Sequence, residues 1–192
     1  MSDFLFVKSK EIQLPNGDIS RSFETYADFS VFGDDFINNV VKIDTGCGLS
    51  TFPYYRLTGD TKLCREQKRK DIQNSVAYTY SYGVETGGRL HLPSITNRAK
   101  LKNKAIKFKH SLDYLEIAGY DIGSRDVYIN YDRRGNILIG MDILSEFETF
   151  MGESLIDDSF VMISCLKDKH DKHCFYDMVK KHFGVEKEPL SF

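Results

Sequence analysis

Short apolar runs, each closed by a turn of glycine, asparagine or aspartate, recur along most of this 192-residue chain. Such punctuation restricts it to a fold made mainly of β-strands. Ile12-Gln13-Leu14 meets the turn Pro15-Asn16-Gly17-Asp18, and a strand is expected from Ile19 to Phe32. Gly33-Asp34-Asp35 reverses the chain into Phe36-Ile37 and Val40-Val41-Lys42-Ile43. Val76 to Val84 alternates with period two, and Arg89-Leu90-His91-Leu92 is its return strand after Glu85-Thr86-Gly87-Gly88. Further strands are expected at Ile106–His110, Leu115–Ile117, Val127–Tyr131, Ile137–Ile139 and Phe160–Ile163. Helical stretches are few: a turn at Pro53–Leu57, a polar and basic helix over Thr61–Gln73, a short helix over Met141–Phe147 with Asp142 near its N-cap, and a last one over Lys172–Phe183.

Composition narrows the function classes. Hydrophobic residues make up 41%, enough for a packed core. A net charge of −2 does not describe a dedicated nucleic-acid binder. The charge is uneven: between Arg56 and Lys109 there are 13 basic and 4 acidic residues, a net of +9, which leaves −11 for the remainder. That middle is either a solvated face or the meeting point with an acidic partner or substrate. No run approaches the roughly 18 apolar residues of a membrane span. The start, Met1-Ser2-Asp3-Phe4-Leu5-Phe6-Val7-Lys8, lacks the basic region and apolar length of an export signal. The four cysteines, 47, 64, 165 and 174, are irregularly spaced and are expected as reduced thiols in the cytoplasm.

The chemistry sits in two segments. Val40-Val41-Lys42-Ile43-Asp44-Thr45-Gly46 places a carboxylate at the end of an apolar strand, followed by a hydroxyl and a glycine that lets backbone approach. Alone, Asp-Thr-Gly also makes an ordinary turn. Ile137-Leu138-Ile139-Gly140-Met141-Asp142-Ile143-Leu144 is an apolar strand ending in glycine, with a helix directly behind it. Together, and in this order, Val41–Gly46 and Leu138–Gly140 resemble the signatures of the retropepsin-like aspartic proteases over roughly residues 19 to 150. Tyr82-Gly83-Val84-Glu85-Thr86-Gly87-Gly88 lies where that family carries its flap, a hairpin closing over substrate, and its Tyr-Gly is similar to the flap of pepsin-type relatives.

The resemblance implies a mainly β, retropepsin-like acid-protease barrel, with a short helix after the second apolar-apolar-Gly motif and a C-terminal α/β extension. The protease domain would span 1–150, with the flap near 76–95 and a basic insertion at 96–109; 151–192 would be an extension of unassigned role. It implies an aspartic endopeptidase in which a water is activated between two carboxylates. A single Asp-Thr-Gly is present and no Asp-Ser-Gly, so the resemblance implies a homodimer with one Asp44 from each subunit. Thr45 would interlock the two loops, Gly46 would leave room for substrate backbone, and Leu138, Ile139 and Gly140 would pack behind them. Tyr82, Gly83, Val84, Gly87 and Gly88 would cover the peptide or protein substrate. No cofactor, metal, nucleic acid or membrane is implied.

Two departures stand out. Cys47 and Gly48 follow the motif where the family commonly has Ala or Ser and then Ser or Asp. A thiol donates a hydrogen bond weakly, so activity is expected at weakly acid to neutral pH. The same departure leaves open a dimerisation or peptide-binding module of this fold with little turnover. Other signals are weaker. Cys165, His170, His173 and Cys174 match no usual zinc framework, and Gly46–Thr51 lacks the ending of a phosphate loop.

Overall fold

The computed structural model of the chain describes residues 2–74, 78–81, 105–131 and 135–185. It is mainly β-sheet. Strands β1 (Leu5–Gln13), β2 (Ile19–Val31) and β3 (Asp34–Ile43) form an antiparallel meander. The Asn-Gly turn between β1 and β2 closes as expected, with Gly17 at φ +90° and the Leu14 N–H donating to the Asp18 carbonyl at 2.8 Å. Between β2 and β3 the register shifts at Ala27/Phe29; there the Asp28 carboxylate accepts the N–H of Asn38 at 2.6 Å.

After β4 (Thr51–Pro53) come helices α1 (Tyr54–Thr58) and α2 (Thr61–Gln73). Strands β5 (Tyr78–Ser81), β6 (Ala105–Leu112), β7 (Leu115–Ile117), β8 (Tyr120–Asp121), β9 (Arg125–Asn130) and β10 (Ile137–Ile139) follow. The short helix α3 (Met141–Leu144), strands β11 (Phe147–Glu153) and β12 (Phe160–Leu166) and helix α4 (His173–Phe183) complete the described chain. The strand order is β11-β12-β1-β2-β3-β10-β4-β9-β6-β5, with β7 and β8 off this path.

Two pairs in that order are parallel, β3 with β10 and β4 with β9. Strand β10 thus lies between two strands adjacent in sequence, and the chain from β3 to β4 must pass over its end. The core follows from alternation: Val127 and Ile129 of β9 and Ala27, Phe29 and Val31 of β2 all point inward and are buried. Phe29 lies between Phe36 and Phe52, with ring centroids at 5.4 and 4.7 Å. Burying each such side chain contributes about 2–3 kcal/mol.

The helix behind Gly140 is shorter than expected. It ends at Leu144, and Phe147 starts β11 instead, with its side chain buried. Strand β11 is not visible as a strand in the sequence because Phe147, Phe150 and Met151 do not alternate; seven-residue pairing with β12 holds it in place. It also runs through residue 150, where the protease domain was expected to end. Strand β12 pairs with β1 on one edge and β11 on the other, so neither edge is open to a strand from another chain.

Helix α2 is fastened by its one buried carboxylate. Asp71 is 2% exposed and accepts hydrogen bonds from Gln67 Nε2 at 3.1 Å, from His110 Nε2 at 2.9 Å, and from the Tyr131 hydroxyl. Burial, then the Asp71 carboxylate, push the Tyr131 hydroxyl well above the usual phenol range. A buried charge needs such partners to be tolerated.

Helix α4 is fastened by a neutral histidine. His182 is 6% exposed, its ring 5.1 Å from Phe6, and Nδ1 lies 2.8 Å from Ser154 Oγ. That hydroxyl oxygen already accepts the Ile156 N–H, so its proton is free to donate to Nδ1. Burial lowers the His182 pKa, and Lys181 and Lys8 reinforce this against Asp157. A histidine held below its unfolded value of about 6.5 costs nothing above that pH and destabilises the fold as pH falls through it. In urea unfolding, wild type is therefore expected to lose midpoint between pH 7.5 and 5.5 relative to His182→Gln, which carries no titrating ring. An equal gap at both pH values would show that His182 is not buried in its neutral form.

Candidate active site

The parallel pairing of β3 and β10 brings the two sequence motifs side by side. Val41, Lys42 and Ile43 stand opposite Ile137, Leu138 and Ile139. The Asp44 N–H continues the ladder to the Ile139 carbonyl at 2.9 Å. Ile43, Ile137 and Ile139 are buried, which sets Asp44 and Gly140 together where the two strands end. Asp44 is half-buried, and Thr45 and Gly46 are exposed.

Residues 44–50 then cross the end of β10. The turn is closed locally by the Gly46 N–H, which donates to Asp44 Oδ1 at 3.1 Å, and by the Cys47 N–H, which donates to the Asp44 carbonyl at 3.0 Å. A Cβ on Gly46 would meet Asp44 Oδ1 at 3.3 Å. The loop is then tied to the β10–α3 junction: Met141 N–H donates to the Cys47 carbonyl at 2.8 Å, and Asp142 N–H to that of Gly48 at 3.2 Å.

Gly140 is the point of closest approach. A Cβ there would stand 2.7 Å from the Leu49 carbonyl carbon and 2.8 Å from the Cys47 oxygen. Its backbone is extended, at φ −102° and ψ −176°, so room alone demands glycine. Its N–H donates to Ser50 Oγ at 2.9 Å.

Ser50 and Asp142 form a clamp that the sequence did not disclose. Ser50 is fully buried. Its N–H donates to both Asp142 carboxylate oxygens, at 2.8 and 2.9 Å, and its hydroxyl to Oδ1 at 2.6 Å. Charge-assisted bonds of this kind are about twice as strong as neutral ones. Asp142 was expected near the N-cap of α3; Gly140 occupies that position, without a side-chain bond, and the Asp142 carboxylate is spent on Ser50 and on the Ile143 N–H at 3.0 Å. The partners are 92 residues apart, and only the proximity of Ser50 to one motif and Asp142 to the other marks them.

Cys47 is buried, and its thiol lies 3.0 Å from the Leu49 carbonyl. Leu138 is half-buried beside Lys42. Beside the loop a groove of about 490 Å³ is lined by Leu49, Tyr128, Asp142 and Ile143, among others. Its charges are paired internally, Lys109 with Asp126 at 2.5 Å and Arg125 with Glu146 at 2.9 Å. Tyr82, Gly83, Val84, Gly87 and Gly88, and most of 96–109, lie outside the described residues. Among the described residues, no group of three or more His, Cys, Asp or Glu side chains is placed to hold a metal ion. No described helix is long and apolar enough to cross a membrane.

No protein-family model matches the chain, and no curated protein matches it. Among solved structures it is similar to a retropepsin-like aspartic protease from Rickettsia conorii, with 15% identity and a TM-score of 0.39, covering 86% of this chain and 98% of the other. A likeness at that level carries neither the fold nor the activity over to this chain.

The clamp yields a direct prediction. Asp142→Ala leaves the buried Ser50 N–H and hydroxyl without their acceptor and should lower unfolding stability by about 1–3 kcal/mol. Gly140→Ala should destabilise by a similar amount or more, because the atoms in its way are backbone. Denaturant titration of both variants checks this; an unchanged midpoint in either would contradict the packing described.

Proposed function

We propose that the chain is an aspartic endopeptidase that works as a two-fold homodimer, with Asp44 of each subunit holding the attacking water between them. The observation that supports it most is the Asp44 loop. One half-buried carboxylate, with Oδ1 held by the Gly46 N–H, projects from a turn clamped to the Gly140 strand end, with Thr45 and Gly46 exposed beside it. Such a loop presents a carboxylate in one orientation on an open surface.

The chemistry requires a pair of such groups. One carboxylate accepts a proton from water while the other, protonated, donates to the scissile carbonyl. Two carboxylates this close share a proton because both cannot ionise, a case for which the aspartic-protease dyad is itself the standard illustration. The chain carries one Asp-Thr-Gly, so the second carboxylate comes from a second copy. Thr45 is exposed where it would meet its counterpart across the axis, and Gly46 leaves the space above Asp44 to a peptide. Tyr82 to Gly88 would close over that peptide, which binds extended, as an added strand. The domain of residues 1–150 would supply this machinery, and residues 151–185 brace it through the pairing of β12 with β1.

A diverse peptide library, incubated with wild type and with Asp44→Asn at pH 5 to 7, tests the reading. Cleavage blocked by a statine-type mimic is expected in wild type, and a loss of about 10²–10⁴-fold or more in the variant. The specific activity should fall on dilution as dimers separate, while the variant keeps the dimer mass. Peptide binding without cleavage by wild type would favour a binding module instead. Monomers at every active concentration would overturn the shared site.

A further inference from the structure

Helix α2 carries charges that make no ion pair among the described residues. Across the sheet, cations are spent on carboxylates: Lys10 on Glu24 at 2.8 Å, Arg21 on Glu11 at 2.8 Å, Lys109 on Asp126 at 2.5 Å and Arg125 on Glu146 at 2.9 Å. On α2, Lys62, Arg65, Arg69 and Lys70 are exposed, and none lies within salt-bridge distance of a carboxylate among the described residues.

The acidic residues nearby are mostly committed. Asp60 caps the helix, accepting from the Lys62 and Leu63 N–H groups at 2.6 and 3.2 Å. Asp71 is buried on the opposite face with Cys64. Glu66 alone remains on the outer face. Positions 62, 65 and 69 follow the three-four spacing of one helix face and form a stripe about 10 Å long, with Lys70 at its flank. Like charges at these spacings repel one another, a cost to the helix that an anionic partner would relieve.

We propose that the outer face of α2 is a docking surface for an acidic, extended polypeptide segment of a partner protein. Carboxylates on one side of an extended chain recur about every 7 Å, so two or three alternate acidic residues span the stripe. A single-stranded nucleic acid fits less well, because α2 has no aromatic side chain on which a base could stack. A long polyanion would also meet a remainder of the chain that carries −11. A lipid surface fits less well again: Leu63 is the one exposed large apolar side chain of the helix, too little to insert. The surface stands whether or not Asp44 is catalytic.

Fluorescence anisotropy with a labelled, alternating Glu-Ser peptide tests the proposal, using the full chain and a variant with Lys62, Arg65, Arg69 and Lys70 all changed to Gln. Glutamine keeps helix propensity, and circular dichroism confirms the fold of each variant. The expected result is saturable binding that weakens with salt and by about tenfold or more in the α2 variant. Lys10→Gln with Arg21→Gln, which removes paired charges, should leave binding within about twofold of wild type. The proposal is overturned if wild type does not bind the peptide, or if the α2 variant binds as well. Tighter binding of an RNA duplex or of phosphatidylserine vesicles than of the peptide would also overturn it. So would loss of a wild-type dimer on neutralising α2, which would make a second copy the occupant.

Discussion

The close passage of one loop over the end of one strand sets the rest of the molecule. Residues 44–50 cross β10 at Gly140 with no room for even a methyl group. The backbone that carries Asp44 is tied to this crossing. The parallel ladder from β3 reaches Ile139, the loop carbonyls accept from Met141 and Asp142, and Ser50 is gripped by the Asp142 carboxylate. A looser crossing would remove the backbone ties that hold the Asp44 turn against β10.

Around that centre, two buried polar side chains, Asp71 and His182, each find hydrogen-bond partners. Asp71 has three donors and joins α2 to β6 and to the segment after β9. His182 and Ser154 join α4 to the turn after β11. Each helps fix a peripheral helix to the sheet, on α4 together with the Tyr176 hydroxyl, which donates to Glu148 at 3.1 Å; burial favours the neutral forms of the Tyr131 hydroxyl and the His182 ring. The free energy of folding comes mainly from apolar contacts such as the Phe29 cluster, whereas these polar ties select one arrangement. The outer face of α2 is the counterpart: its cations belong to no tie within the described fold.

Much of the architecture was legible because its signals are local. Flanking turns marked β2, the Asn-Gly turn placed the first hairpin, an apolar run marked β9, and the bounds of α2 match those read from Thr61 to Gln73. Residues without a local pattern were not legible. Strand β11 exists because β12 offers it an edge, and its own residues do not alternate. Asp142 carries the local marks of a helix cap, yet a serine 92 positions earlier competes for it and wins with two donors, one of them fully buried with the rest of Ser50.

The sequence alone determined a mainly β chain with one Asp-Thr-Gly and one apolar-apolar-Gly, because strand periodicity and the need for glycine are properties of neighbouring residues. Tertiary structure decided that Asp44 and Gly140 lie at the ends of adjacent parallel strands and that Ser50 and Asp142 lock them together. It also decided that β12 is closed on both edges by its own chain. These depend on strand order, which follows from how the whole sheet buries its apolar faces at once; no segment carries that information by itself.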